Sequence, residues 1–255
     1  MHFKVDREKF LNNLELMSRV STKHVTLPVL QCVLITTEGK NLSLKTTNLE
    51  IGVESVIEAT VEIEGTIAVP TNTLLQTVQH INSKEVEIQT EDNTLVVEGS
   101  GSNTNIKSIP HEEFPTIPQI EAKGQEIQAE TFALGIKTTA FASSSSSIKP
   151  ELGSVYISQT KEHSLTFVAT DSFRLMEKTV PQKNFVLDEP ILIPNKNALE
   201  IARVCEIKGG NPTLKINENA GSQCFFSIVI IKLQCHFIAP FVLEFLAVKN
   251  NPCTM

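Results

Sequence analysis

Residues 26–48 read TLPVLQCVLITTEGKNLSLKTTN, and residues 149–171 read KPELGSVYISQTKEHSLTFVATD. Laid over one another, Pro28 falls on Pro150, Leu30 on Leu152, Val33 on Val155, Leu42 on Leu165 and Asn48 on Asp171. Each stretch alternates apolar and polar residues, breaks at a polar turn and alternates again, which is the period-two pattern of paired strands. The match extends outward. Upstream, VDREKFLNNLELMSRV (5–20) carries Phe10, Leu11, Leu14, Met17 and Val20 at three- and four-residue steps. IQAETFALGIKTTAFA (127–142) sets Phe132 against Phe10, and both spacings predict a helix. Downstream, IEATVEIEGTIAVP predicts a strand, PTNTLLQTVQHI a helix opening at Pro70, and EVEIQTEDNTLVVEGSG a hairpin across Glu91-Asp92-Asn93. The second copy answers with ILIPNKNALEIARVCEI (191–207), Pro194 against Pro70, and then PTLKIN against KEVEIQ. Proline suits a helix opening because first-turn N–H groups have no intrahelical partner. The order helix, strands, helix, strands therefore occurs twice, about 123 residues apart. IPHEEFPTIPQIEAKG (109–124), polar and proline-rich, reads as the boundary.

The bulk figures agree with two domains of ordinary size: 255 residues, 41% of them hydrophobic. A net charge of −7 argues against a broadly basic nucleic-acid binder, although a local basic surface can sit on an acidic protein. MHFKVDREKF lacks the apolar core of a secretory signal. FIAPFVLEFLAV (237–248) falls short of the roughly 20 residues of a membrane span and contains Pro240 and Glu244. Five cysteines, at 32, 205, 224, 235 and 253, form no disulfide pattern. The expectation is a cytoplasmic protein in a reducing compartment, with no membrane partner.

Motifs for chemistry are thin. Ser146-Ser147-Ile148-Lys149 fits S-x-x-K but lacks the SDN and KTG partners of serine β-lactamases, so the serines at 143–147 read as a flexible loop after a helix. Cys224, Cys235 and His236 have a ten-residue gap where zinc sites favour two to four. His111-Glu112-Glu113 lacks the second histidine of a zincin. With no glycine-rich phosphate loop and no set of nucleophile, base and oxyanion donor, the expectation is no enzyme, no metal and no cofactor.

VATDSFRL (168–175) raises a different question, because it sets an arginine between two large apolar residues just after a Thr-Asp turn signal. A pocket with a polar rim would use that arrangement; so would an arginine paired with a carboxylate beside a turn. Together with TLPVL, the Pro70-opened helix, EEFPTIP and the IPNK helix start, it resembles the bacterial DNA polymerase III beta subunit family, the sliding clamps, over roughly residues 1 to 227.

The resemblance implies an α+β fold: tandem copies of a clamp domain, each with two helices packed on antiparallel sheets. The domains would be 1–120 and 121–255, with 228–255 aberrant and a third copy missing. Family members close as head-to-tail homodimers around double-stranded DNA, which they hold without regard to sequence. They hydrolyse nothing and tether the replicative polymerase. The polymerase, the clamp loader and repair polymerases dock through short Gln- and Leu-containing peptides. The peptide pocket would map to Leu152, Thr170, Ser172, Phe173, Arg174 and Leu175. Where the family commonly has Gly and His, Ser172 and Phe173 stand here, so Phe173 either fills the pocket or reshapes it. DNA contacts would map to Lys23, His24, Lys149, Lys196 and Arg203, with Arg19 and Lys137 also able to face the hole. Glu15, Glu130, Glu200 and Glu206 on the same helices mean that the surface is not strongly basic.

The last 28 residues, from IVIIKLQCHF onward, carry few charges and lose the alternation. They suggest a truncated or frame-shifted member of the family. A complete two-domain chain of the archaeal and eukaryotic kind fits the motifs less well. The competing function is a protein-interaction module descended from a clamp repeat, without DNA.

Overall fold

The computed structural model describes residues 1–21, 27–49, 51–99, 101–117, 125–145, 149–161, 163–187, 190–208, 213–214, 223–228 and 231–236. The chain divides into two compact units, one built mainly on Met1–Gln119 and the other mainly on Ile120–Ile228.

In the first unit, strand β1 (His2–Asp6) leads directly into helix α1 (Arg7–Val20). Then come β2 (Cys32–Glu38), β3 (Asn41–Thr47), β4 (Ile51–Glu58), β5 (Thr60–Ile63), β6 (Gly65–Pro70), α2 (Thr71–His80), β7 (Glu85–Glu91), β8 (Thr94–Gly99) and β9 (Ser102–Lys107). Two antiparallel arrays result: β4-β3-β2-β6, and β5-β1-β7-β8-β9. Helix α1 begins where Asp6 Oδ1 accepts the Lys9 N–H at 2.9 Å, satisfying a first-turn donor. Its buried stripe is Phe10, Leu14, Met17 and Val20, joined by Leu16 and Asn13. Leu11, expected in that stripe, is half-exposed. Asn13 stays polar because it accepts from Ser55 Oγ at 2.6 Å and donates to Lys9 O at 2.7 Å. Arg7 donates to Val78 O and Gln79 O, so the start of α1 satisfies carbonyls at the end of α2.

The second unit contains β10 (Gln125–Glu126), α3 (Ala129–Ala140), β11 (Ser154–Lys161), β12 (Ser164–Thr170), β13 (Leu175–Pro181), β14 (Ile191–Pro194), α4 (Asn195–Lys208) and β15 (Thr213–Leu214). Strands Gln223–Ile228 (β16) and Ile231–His236 (β17) follow. The array β13-β12-β11-β14 repeats the β4-β3-β2-β6 order of the first unit. Pro70 and Pro194 each end a strand and immediately precede a helix, and they face Cys32 and Ser154 at matching places in the two ladders. Phe10 and Phe132 are both buried, as the overlay of the two copies requires.

Three expectations change. Val5 is in a strand and the first helix starts two residues later, because Phe3 and Val5 pair with Ile88 and Val86 of β7, far along the chain. The 109–124 boundary is partly folded onto the first unit: Ile109 N–H donates to Ala68 O at 2.9 Å, and His111–Glu113 form a short 3-10 turn. The serine loop is ordered at its start, where buried Ser143 donates to Ala140 O and Ser144 N–H donates to Leu152 O at 2.8 Å. Ser143 thus closes the turn that follows α3. Residues 146–148 lie outside the described residues, as do 237–255.

Candidate functional site

The residues singled out at VATDSFRL form the turn between β12 and β13, where Thr170 pairs with Leu175. Two side chains build it. Thr170 Oγ1 accepts the Ser172 N–H at 3.1 Å and donates to Arg174 O at 2.7 Å. Asp171 Oδ1 accepts the N–H groups of Phe173 at 3.0 Å and Arg174 at 2.9 Å. These bonds hold Ser172 at φ +79°, a conformation only small or polar residues adopt readily. The N–H of Arg174, then that of Phe173 and the guanidinium, hold the Asp171 carboxyl below the usual aspartate range.

Arg174 therefore has a carboxylate partner. Its Nε lies 2.9 Å from Asp171 Oδ2, and its Cζ lies 5.8 Å from the centroid of the Phe141 ring. The arginine pairs within the turn, and its guanidinium also lies over an apolar ring. Phe141, which follows α3, is 59% exposed. Phe173 is 99% exposed and fills nothing in the second unit. The four-residue turn is closed by its own hydrogen bonds, so the side chain at its tip points away from the sheet.

Leu152 lies in the turn that leads from Lys149 into β11, with its N–H donating to Lys149 O at 3.0 Å. Because β11 and β12 are antiparallel, with Tyr156 opposite Val168, Leu152 and the Thr170–Leu175 turn belong to the same end of the sheet. Gly135 of α3 lies against the middle of β12. It packs on the ring of Phe167 in β12, and Phe167 meets Phe132 edge-on at 5.4 Å between centroids.

The expected DNA-contact residues separate. Lys149, Lys196 and Arg203 are exposed. Lys196 and Arg203 lie two turns apart on α4, and Asn195 N–H ties the start of that helix to Gly153 O at 2.9 Å, beside the Lys149 turn. Lys23 and His24 lie outside the described residues. Lys137 Nζ is 2.7 Å from Glu206 Oε1, across α3 and α4. On α1 the exposed charges are Glu8, Lys9, Glu15 and Arg19, and α2 has no Lys, Arg, Asp or Glu. The helix faces are mixed in sign. Among the described residues, no group of three or more His, Cys, Asp or Glu could hold a metal ion, and no helix is long and apolar enough to cross a membrane.

Comparison with known proteins places this architecture. The family model of the DNA polymerase III beta subunit, N-terminal domain, matches residues 1–118, and that of its central domain matches residues 126–238. The chain belongs to the DNA polymerase III beta subunit family. Among curated relatives, the beta sliding clamp of Pseudomonas aeruginosa is 28% identical over 229 residues, 86% of this chain and 60% of that protein. The beta sliding clamp of Buchnera aphidicola is 28% identical over 210 residues, 81% of this chain and 57% of that protein. The chain thus spans about 60% of the length of the curated relatives it matches. The Caulobacter crescentus sliding clamp structure superimposes with a TM-score of 0.88 at 22% identity, covering 100% of this chain and 70% of that one. A Pseudomonas aeruginosa clamp bound to griselimycin gives a TM-score of 0.83 at 24% identity, covering 96% of this chain and 67% of that one. These structural likenesses concern the fold.

Within this beta-subunit fold, the sequence motif missed two participants of the turn. As a sequence motif Asp171 reads only as a turn signal, although it supplies both hydrogen-bond acceptance and the arginine's partner. Phe141 lay unremarked inside the helix match, and its exposure at the end of α3 could not be read from a helical repeat.

Proposed function

We propose that the chain acts as a DNA sliding clamp, a non-catalytic cytoplasmic subunit that tethers the replicative polymerase to double-stranded DNA. The observation that carries this reading is the duplicated unit, two helices on an antiparallel array with the same strand order, in a member of the beta subunit family. Closure into a ring, as a homodimer, would confine DNA topologically and keep a bound polymerase at high effective concentration. Lys149, Lys196 and Arg203, with Lys23 and His24, would touch phosphates and read no sequence. Short peptides of the polymerase, the clamp loader and repair polymerases would dock at Thr170–Leu175 with Leu152. There an aliphatic anchor would lie against Leu152, Leu175 and Phe141, with Arg174 at the rim. The domain limits follow the same reading, 1–120 and 121–255.

The test is retention on DNA. The purified chain is loaded onto a nicked circular plasmid with a clamp loader and ATP, and the plasmid is then cut once. Retention on the circle and loss on linearisation are expected. Equal loss from circular and linear DNA refutes the tether.

A further inference from the structure

The turn of the second unit has a twin in the first. Thr47 Oγ1 accepts the Leu49 N–H at 3.1 Å and donates to Ile51 O at 3.0 Å, as Thr170 does with Ser172 and Arg174. Asn48 Oδ1 accepts the Ile51 N–H at 2.8 Å, as Asp171 does from Arg174. The main-chain bond Asn48 N–H to Ile51 O matches Asp171 N–H to Arg174 O. Leu49 holds φ +74° where Ser172 holds +79°. Thr47 pairs with Gly52 as Thr170 pairs with Leu175.

The twins differ at that last position. Leu175 carries a side chain and Gly52 does not. A Cβ placed on Gly52 would lie 3.0 Å from Cγ2 and 3.3 Å from Cδ1 of Ile117. The segment Phe114-Pro115-Thr116-Ile117 therefore lays its isoleucine directly on the base of the turn. The missing side chain is what makes room for it. An aliphatic group carried on a proline-containing segment is also the kind of group a peptide-docking turn receives.

We propose that the first unit contains a second copy of the peptide-docking turn, occupied by its own chain, with Ile117 as the built-in ligand. The inference rests on the reading of Thr170–Leu175 as a peptide site and is independent of DNA tethering. An intramolecular occupant competes at high effective concentration, so the first turn is closed to outside peptides while the second is open. Weakening Ile117 opens the first turn to a peptide of the same chemistry.

The probe is a synthetic peptide with the sequence of residues 112–118, EEFPTIP, titrated into the full 15N-labelled chain. In the unaltered chain, the amides of Ser172 and Arg174 shift, while those of Leu49 and Ile51 stay in place. In Ile117→Ala, with amide dispersion preserved, all four shift. Adding Gly52→Leu to Ile117→Ala stills Leu49 and Ile51 again, because the new side chain fills the vacated place. Movement confined to Ser172 and Arg174 in Ile117→Ala overturns this inference alone. Movement at neither turn in any variant overturns this inference, and the peptide reading of Thr170–Leu175 falls with it only where a Gln- and Leu-containing peptide also leaves Ser172 and Arg174 in place. Gly52→Leu alone tests the same contact without shortening Ile117: the Ile117 methyl signals should leave their native positions, and native positions would overturn the proposal.

Discussion

Replacing Gly135 by alanine tests how α3 packs on the sheet of the second unit. In an open helix, Gly→Ala stabilises by about 1 kcal/mol, because alanine loses less backbone freedom on folding. In α3 the added Cβ would lie 2.5 Å from Cδ2 and Cε2 of Phe167 and 2.9 Å from its Cγ. Those separations are about 1 Å inside normal carbon–carbon contact. Phe167 is fully buried and set edge-on against Phe132, so its ring cannot retreat without moving a second buried ring. Overpacking of a close-packed core costs about 1–3 kcal/mol, and contacts this short belong at the upper end. The helix gain offsets part of that, leaving a net loss of about 2 kcal/mol.

The protein carries its own reporter for this measurement. It has one tyrosine and no tryptophan. Tyr156 is 8% exposed, in β11 beside β12. Its fluorescence in urea follows the second unit, and a 2 kcal/mol loss lowers the midpoint by about 1 M for a slope near 2 kcal/mol per molar. Combining Gly135→Ala with Phe167→Leu should cost less than the sum of the two single changes, since the smaller side chain relieves the clash. A midpoint for Gly135→Ala equal to or above that of the unaltered chain would refute the packing argument.

Other outcomes follow from the same geometry. The Asp171 carboxyl is held below its ordinary value of 3.8, so its contribution to the turn is present above that value and fades as pH falls through the lower folded one. NMR titration should show the Arg174 amide moving only in that acid window, and a transition near neutral pH would contradict it. Ser55→Ala strands a buried Asn13 carbonyl and should cost about 1–3 kcal/mol by urea unfolding; a neutral result would mean that the hydrogen bond contributes little. Burial pushes the Cys32 thiol up to about 11 and the Cys205 thiol up to about 12, the latter with help from the Glu206 charge. Iodoacetamide followed by peptide mass spectrometry should find both unlabelled at pH 8 until urea is added. Lys196→Ala and Arg203→Ala should each reduce the salt slope of duplex DNA binding by about 0.9 if they meet one phosphate apiece, and an unchanged slope would remove them from the interface.

What the sequence determined by itself is the duplicated order of elements. Strand alternation and helical stripes are local periodicities, and the paired prolines at 28 and 150 and at 70 and 194 mark the copies without any tertiary information. The resemblance to the beta subunit family was legible for the same reason, since its motifs are short and ordered. β1 was not legible, because HFKVD is short and runs without a break into an N-capped helix. Its strand character comes from pairing with β5 and β7. The turn at 170–175 was legible as a motif but not as an object. That Arg174 meets both Asp171 and Phe141, and that Phe173 stands free, depends on where a closed four-residue turn aims its side chains and on where α3 ends. Its twin at Thr47–Gly52 is marked in the sequence by the overlay of Asn48 on Asp171, but the hydrogen-bond wiring the two turns share is a property of the folded chain. Ile117 lies 65 residues from the glycine it covers, and a contact at that range is set by the packed chain, not by any local pattern.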